Sequence, residues 1–310
     1  MGTQGYVPIS RTSEAYNFSM KIAVTGSSGL VGSALKPFLT GAGHQVFPIR
    51  RPADWDPENG TINGLALEGM DAVVHLAGEN IAAGRWTAAR KARIRDSRVK
   101  GTKLLSESLL KLKTPPPVLV SASAMGYYGD RGDEVLREES PAGTGFLPEV
   151  CRQWEAATDA ATRGGIRVVH LRTGLVLSSQ GGALGQMRLP FKLGAGGKIG
   201  SGKQYWSWIS MDDLCAVFLH SIQAAGLHGP VNAVSPTPVT NLVFTTTLGR
   251  VLSRPTLFPM PAFAARIVFG EMANELLLAS ARVEPAKLLA SRFVFRHKDL
   301  DSTLRYLLGR

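Results

Sequence analysis

Two cysteines, Cys151 and Cys215, are all this chain carries in 310 residues. Both fall in stretches of helical periodicity, which leaves no disulfide framework and no metal-ligand spacing. Long hydrophobic runs are missing too: short stretches such as 276–279 fall far below a membrane span. Residues 1–19 lack the apolar core of a secretory signal and are polar and turn-rich (Gly2, Gly5, Pro8, Ser10, Ser13). They read as a disordered extension before a domain that begins at Met20, and the expected compartment is the cytoplasm. Acidic residues are the minority: 24 Asp and Glu against 35 Lys and Arg leave a net charge of +11. The cations are scattered, with modest clusters at 85–103 and 282–298, and neither cluster interleaves with aromatic residues as base-stacking platforms do. That pattern argues against nucleic acid and for an anionic small-molecule ligand. No internal repeat is present.

What is there begins with Lys21-Ile-Ala-Val-Thr-Gly-Ser-Ser-Gly-Leu-Val-Gly. A short apolar run leads into glycines at 26, 29 and 32, and a helical pattern follows directly. In a dinucleotide fold Gly26 allows the tight turn out of the strand. Gly29 removes the side chain that would block a pyrophosphate, and Gly32 lets the helix pack closely on the sheet. The helix N-terminus, with Ser28, Leu30 and Val31 around it, then points unpaired N–H groups at the phosphates.

Along the chain, apolar strands alternate with helical patterns. Val31, Leu35, Phe38 and Leu39 recur at helical spacing, and a strand at 45–49 follows, with Pro48 awkward for an interior position. Buried strands are expected at 71–78, running into a second glycine turn, and at 118–123 and 168–172, with helices at 86–112 and 148–163. This alternation means α/β: a doubly wound, parallel Rossmann sheet. Residues 20–180 form its nucleotide-binding domain, to which some later segments return, and 181–310 a smaller, mostly helical lobe. In that lobe 181–203 is rich in glycine and lysine, and Ser210-Met-Asp-Asp opens a helix. Helical stretches at 261–270, 273–280 and 285–291 surround one short strand at 293–295, before a last helix from Asp299.

The second strand ends Ile49-Arg50-Arg51, where an acidic residue would accept from a ribose 2′-OH and an arginine would accommodate a 2′-phosphate. Two guanidinium groups there select NADP(H) over NAD(H). The alternative is that they simply solvate a strand end.

Thr25-Gly-Ser-Ser-Gly-Leu-Val-Gly, His75-Leu-Ala-Gly, Val99-Lys-Gly-Thr102, Ser121-Ala-Ser-Ala-Met-Gly-Tyr-Tyr-Gly and Trp208-Ile-Ser-Met-Asp-Asp-Leu follow one another in the order of extended short-chain dehydrogenases. Ala77-Gly-Glu-Asn-Ile81, Ser97-Arg98, Trp154-Glu155-Ala-Ala and Leu276-Leu-Leu-Ala-Ser resemble the atypical branch called epimerase family proteins. The resemblance covers residues 20–308. It implies a Rossmann domain with a C-terminal lobe over the cofactor cleft, and Leu76, Ala77 and Gly78 as cofactor contacts.

The resemblance also implies a catalytic tyrosine with a lysine four residues on, and no tyrosine here has that partner. The tyrosine position falls on Leu147, the lysine position on Cys151, and an expected asparagine on Arg98. Ser123 survives, as a hydroxyl for a substrate carbonyl or as a strand-end serine bonded to local backbone, with Ser121 an alternative in register. Tyr127 is the candidate replacement proton donor, with Arg131 as the cation beside it, or else a packed side chain together with Tyr128. Arg98 reads as a contact to the pyrophosphate or 2′-phosphate. Glu79 is an acid/base or a structural carboxylate; Lys198 and Lys203 clamp an anionic substrate or belong to a solvated loop. Trp206 and Trp208 are placed to cover an aromatic or sugar ring. Asp212 and Asp213 read as structural, through a capping box with Ser210, and His75 and Cys151 as packed groups.

Three functions follow: an NADP(H)-dependent oxidoreductase acting on a small or sugar-like carbonyl compound; a nucleotide-sugar epimerase or dehydratase; or a non-catalytic NADP(H)-binding regulator. By analogy of fold, the helices at 86–112 and 149–163 pair between subunits of a homo-oligomer.

Overall fold

The computed structural model describes residues 19–310, so the expectation for 1–19 lies, but for Ser19, outside the described residues. Six strands form the central sheet: β1 (Lys21–Thr25), β2 (Gln45–Ile49), β3 (Ala72–His75), β4 (Val118–Ala124), β5 (Arg167–Thr173) and β6 (Gly229–Ala233). They are parallel throughout and lie in the order β6-β5-β4-β3-β1-β2. From β1 the chain runs outward to β2, then returns across β1 to β3. The crevice beside β1 and β3 is therefore a topological switch point, where open α/β sheets bind ligands. Pro48 is explained by the same order, because β2 is an edge strand and its missing N–H is needed by no neighbour.

Among the described residues ten α-helices accompany the sheet: α1 (Leu30–Gly41), α2 (Ala88–Leu109), α3 (Phe146–Ala156), α4 (Asp159–Arg163), α5 (Gly182–Lys192), α6 (Met211–Gln223), α7 (Asn241–Val251), α8 (Ala262–Phe269), α9 (Ala286–Ala290) and α10 (Leu300–Leu308). Strand alternation divides the core. Val118 and Val120 join Leu35, Leu39, Leu214 and Phe218 under α1 and α6. Leu119 faces Leu105, Leu109 and Ala161 under α2 and α4. Thus α6 and β6, both beyond residue 180, pack on or extend the sheet.

Three local expectations need correction. The helix expected over 148–163 is broken into α3 and α4, because Thr158 turns its hydroxyl onto the Glu155 carbonyl and onto His170. The glycine-rich stretch 181–203 contains α5, whose first residue Gly182 has a positive φ (66°). No strand forms at 293–295: the Phe293 N–H closes α9 on the Leu288 carbonyl, and Phe295 is buried against the core. Among the described residues no helix is long and apolar enough to cross a membrane, and no His, Cys, Asp and Glu cluster is arranged to hold a metal ion.

Candidate functional site

Each glycine of the β1–α1 turn has its own reason. Gly26 has φ 66°, and a Cβ there would lie 2.7 Å from the Ala77 nitrogen. The first turn is thus pressed against the segment leaving β3, beside the Thr25–His75 register pair. At Gly32 a Cβ would lie 2.6 Å from Ser27 Cα, so this glycine lets α1 close on its own turn; the sheet, which the spacing suggested, is not its neighbour. Gly29 differs. A Cβ there meets only the Gly26 carbonyl oxygen at 3.4 Å, and Gly29 caps α1 without a side-chain bond or an acidic residue in the first turn. A helix N-terminus in that condition presents unpaired N–H groups and a positive dipole end to an anion.

Beside it opens a cleft of about 470 Å³, lined by Gly26, Ser27, Ser28, Ala77, Trp55 and the end of β2, with Lys36, Arg50 and Arg51 as its cations. Arg50 and Arg51 are where the sequence places them. Acidic residues do return to this strand end, but none lines the cleft: Asp54 accepts from the Arg50 backbone N–H, and Asp56 and Glu58 lie against Arg51. Lys36 was not foreseen. It stands seven residues after Gly29, about two helical turns, and that spacing on the face of the N-cap was the available signal.

At the other end of the crevice, Gly78 and Gly126 follow β3 and β4. A Cβ on Gly78 would touch the Arg98 guanidinium carbon at 3.3 Å. A Cβ on Gly126 would meet Leu147 Cβ at 3.3 Å and Cys151 Sγ at 3.9 Å. Arg98 Nη1 donates to the Glu79 and Ile94 carbonyls, and its guanidinium lies 5.0 Å from the Trp154 ring centre. None of these neighbours lines the basic cleft, so Arg98 sits apart from Arg50 and Arg51. Burial pushes its pKa below the ordinary arginine value. Leu147 and Cys151 are buried, the thiol pushed up to about 12 by desolvation, so neither exchanges a proton at neutral pH. A satellite cluster of Trp86, Ile94 and Met272 encloses Leu147, and Glu275 accepts from its backbone N–H.

Ser123 is buried and donates to Glu155 Oε1 at 2.7 Å. That carboxylate also takes Arg172 Nε and Nη2, both at 2.8 Å. The Ser123 proton is therefore spent on a structural network rather than aimed at a substrate carbonyl. Ser121 turns onto the Ala122 carbonyl. Tyr127 takes its cation from Arg172, whose guanidinium carbon lies 3.4 Å from the ring centre. Arg131 is occupied elsewhere, by Glu134 and the Pro141 carbonyl. Among the described residues the Tyr127 hydroxyl has no hydrogen-bond partner. Tyr128 is fully buried, bonded to Asn232 and the Arg137 carbonyl, and desolvation pushes it up to about 12.

The remaining candidates make contacts within the protein. His75 bridges the Thr25 and Thr102 hydroxyls, with its pKa lowered to about 4 by burial. Glu79 pairs with Arg90 at 2.8 Å. Ser210 caps α6 on the Asp213 N–H, while the Asp213 carboxylate accepts from the Arg296 and His297 N–H groups. Trp206 and Trp208 lie in the core of the C-terminal lobe with Phe244 and Leu248, so neither is free to cover a ring. Lys198 leans on the Ser201 carbonyl at 3.4 Å.

Comparison with known proteins finds a match over residues 22–233 to the NAD dependent epimerase/dehydratase family, and over 260–307 to a domain of unknown function, DUF1731. Epimerase family protein Mb2239 of Mycobacterium bovis is 45% identical over 93% of this chain and 98% of its own length. Epimerase family protein SDR39U1 of Homo sapiens is 35% identical over 94% of this chain and 100% of its own. The crystal structure of human SDR39U1 (isoform 2) with NADPH superposes with a TM-score of 0.87 at 33% identity, covering 94% of this chain and 100% of that one. A nucleoside-diphosphate sugar epimerase from Corynebacterium glutamicum gives a TM-score of 0.78 at 39% identity, covering 94% of this chain and 59% of that one.

Proposed function

Because the chain belongs to the NAD dependent epimerase/dehydratase family, we propose that it binds NADP(H) across the β1–β3 switch point and acts as an oxidoreductase on a small, sugar-like or anionic carbonyl compound. The observation that carries this reading is the cleft itself, walled by the glycine turn and lined by three cations with no carboxylate facing in. The residues fit the cofactor: Gly29 leaves its side-chain position open, the α1 amides from Leu30 to Gly32 would receive an anion, and Ala77 lines the cleft with the Leu76 backbone close against Gly26. A relative at 33% identity solved with NADPH supports the choice of NADP(H) over NAD(H).

When bound, NADP(H) supplies or accepts the hydride. The chain's own part is to hold and orient the partners and to move the proton. Leu147 and Cys151 are unable to do so, which also removes the usual means of a nucleotide-sugar epimerase. Tyr127 is the group we assign to that role, because its hydroxyl is uncommitted and a fixed guanidinium lies under its ring. Arg98 provides permanent positive charge beside Gly78.

Fluorescence titration with NADPH and NADH, followed by NADPH oxidation against a panel of carbonyl compounds, tests the reading. Equal affinity for the two nucleotides would overturn the cofactor assignment. A second reading, a binding protein without turnover, is favoured by the buried Leu147 and Cys151; tight NADPH binding with silence on the whole panel would select it.

A further inference from the structure

The three cations of the cleft are not equivalent. Arg51 Nη2 is 3.2 Å from Glu58 Oε1 and 4.0 Å from Asp56 Oδ1, and its guanidinium lies over Trp55 at 5.9 Å. Its charge is already answered. Arg50 and Lys36 have no ion-pair partner among the described residues. Asp54, four residues on, turns one carboxylate oxygen to the Arg50 backbone N–H at 2.9 Å.

Lys36 reaches the cleft from α1, where long side chains lean toward the helix N-terminus. It lines the same cleft as Ser27 and Ser28 on one side and Ile49 and Arg50 at the end of β2 on the other. Two unanswered cations facing one cavity repel each other, and a dianion between them removes that cost. An ammonium serves here as a point charge and needs no forked geometry.

We infer that Lys36, together with Arg50, is a specificity-determining residue that grips the 2′-phosphate of NADP(H), and that Arg51 is held out of that role by Glu58. The inference rests on the cofactor reading above. It replaces the adjacent arginine pair with a clamp whose two jaws come from different elements.

The test is a set of titrations of the full chain with NADPH, NADH, adenosine 2′,5′-bisphosphate and AMP. The variants are Lys36→Met, Lys36→Arg, Arg50→Met and Arg51→Met, each first checked for an unchanged melting temperature. Lys36→Met and Arg50→Met are each expected to weaken NADPH and the bisphosphate about tenfold, the worth of one charge-assisted hydrogen bond, with NADH and AMP nearly unaffected. Lys36→Arg should retain most of the preference, and Arg51→Met should move both members of each pair alike. A wild-type NADPH preference that survives Lys36→Met, or that Arg51→Met abolishes as fully as Lys36→Met, overturns the inference alone. A wild-type protein with no preference for NADPH overturns the cofactor reading and the clamp together.

Discussion

Arg172 holds both carboxylate oxygens of Glu155 while its guanidinium lies 3.4 Å from the centre of the Tyr127 ring. One buried cation thus joins the end of β5, helix α3 and the turn after β4. Their side chains are only 3% and 12% exposed, and Ser123 adds a third bond to the same carboxylate. Removing one partner of such a pair strands the other charge. Glu155→Ala should therefore lower stability by about 3–5 kcal/mol, read from the midpoint of chemical denaturation. Ser123→Ala should cost about 1–3 kcal/mol by the same measurement. Full stability with lost turnover would instead return Ser123 to the substrate.

Tyr127→Phe removes a hydroxyl that no described residue needs. NADPH affinity and melting temperature should be unchanged, while the rate of carbonyl-dependent NADPH oxidation falls about 100-fold or more, as for a lost general acid. An undiminished rate would take proton transfer away from this residue.

The three glycines should separate folding from binding. Gly26→Ala and Gly32→Ala drive a methyl into backbone, so both should yield little folded protein. Gly29→Ala has room, with φ −71° and its nearest neighbour at 3.4 Å. It should stay within about 1 kcal/mol of wild type yet bind NADPH more than about tenfold more weakly, because its methyl occupies the position kept clear for the pyrophosphate. Normal affinity in Gly29→Ala would place the phosphates elsewhere.

Burial holds His75 neutral until about pH 4, whereas the unfolded chain takes up that proton near 6.5. The stability His75 confers is complete above pH 6.5 and declines as pH falls toward 4. Over that window the loss is about 3 kcal/mol. Burial likewise lowers His170, which adds to the slope in the same direction. Melting temperatures from pH 7 to pH 4 should fall less steeply in His75→Asn than in wild type, after allowance for its lower starting value. Parallel curves would show that His75 does not contribute.

The sheet was legible because its signals are local: apolar strands, glycine turns and helical spacing all lie within a dozen residues. The basic end of β2, with Arg50 and Arg51 lining the cleft, was legible for the same reason. Other features depend on distant partners. α5 was missed because its glycines argue for a loop, whereas Leu184 and Phe191 find a core in Trp206 and Phe244. Those tryptophans looked available for a ligand until the lobe closed over them. Tyr127 was named with the wrong cation, since Arg131 is near in sequence and Arg172 only in space. Lys36 went unnoticed because a lysine on an amphipathic helix ordinarily faces solvent.

The contact between Glu275 and the first turn of α3 has a wider consequence. Gly145 gives that helix no side-chain cap, and the carboxylate from far along the chain accepts from the Leu147 N–H in its place. Lys287 closes on Glu138 and Ser280 on Asp130 in the same manner, so the stretch matched as DUF1731, or residues directly in it, stitches the loops that follow β4. The two matched stretches should therefore behave as one cooperative unit and unfold in a single calorimetric transition. A fragment ending near residue 233 would retain the nucleotide motif and lose the fastenings that hold α3 in register with it.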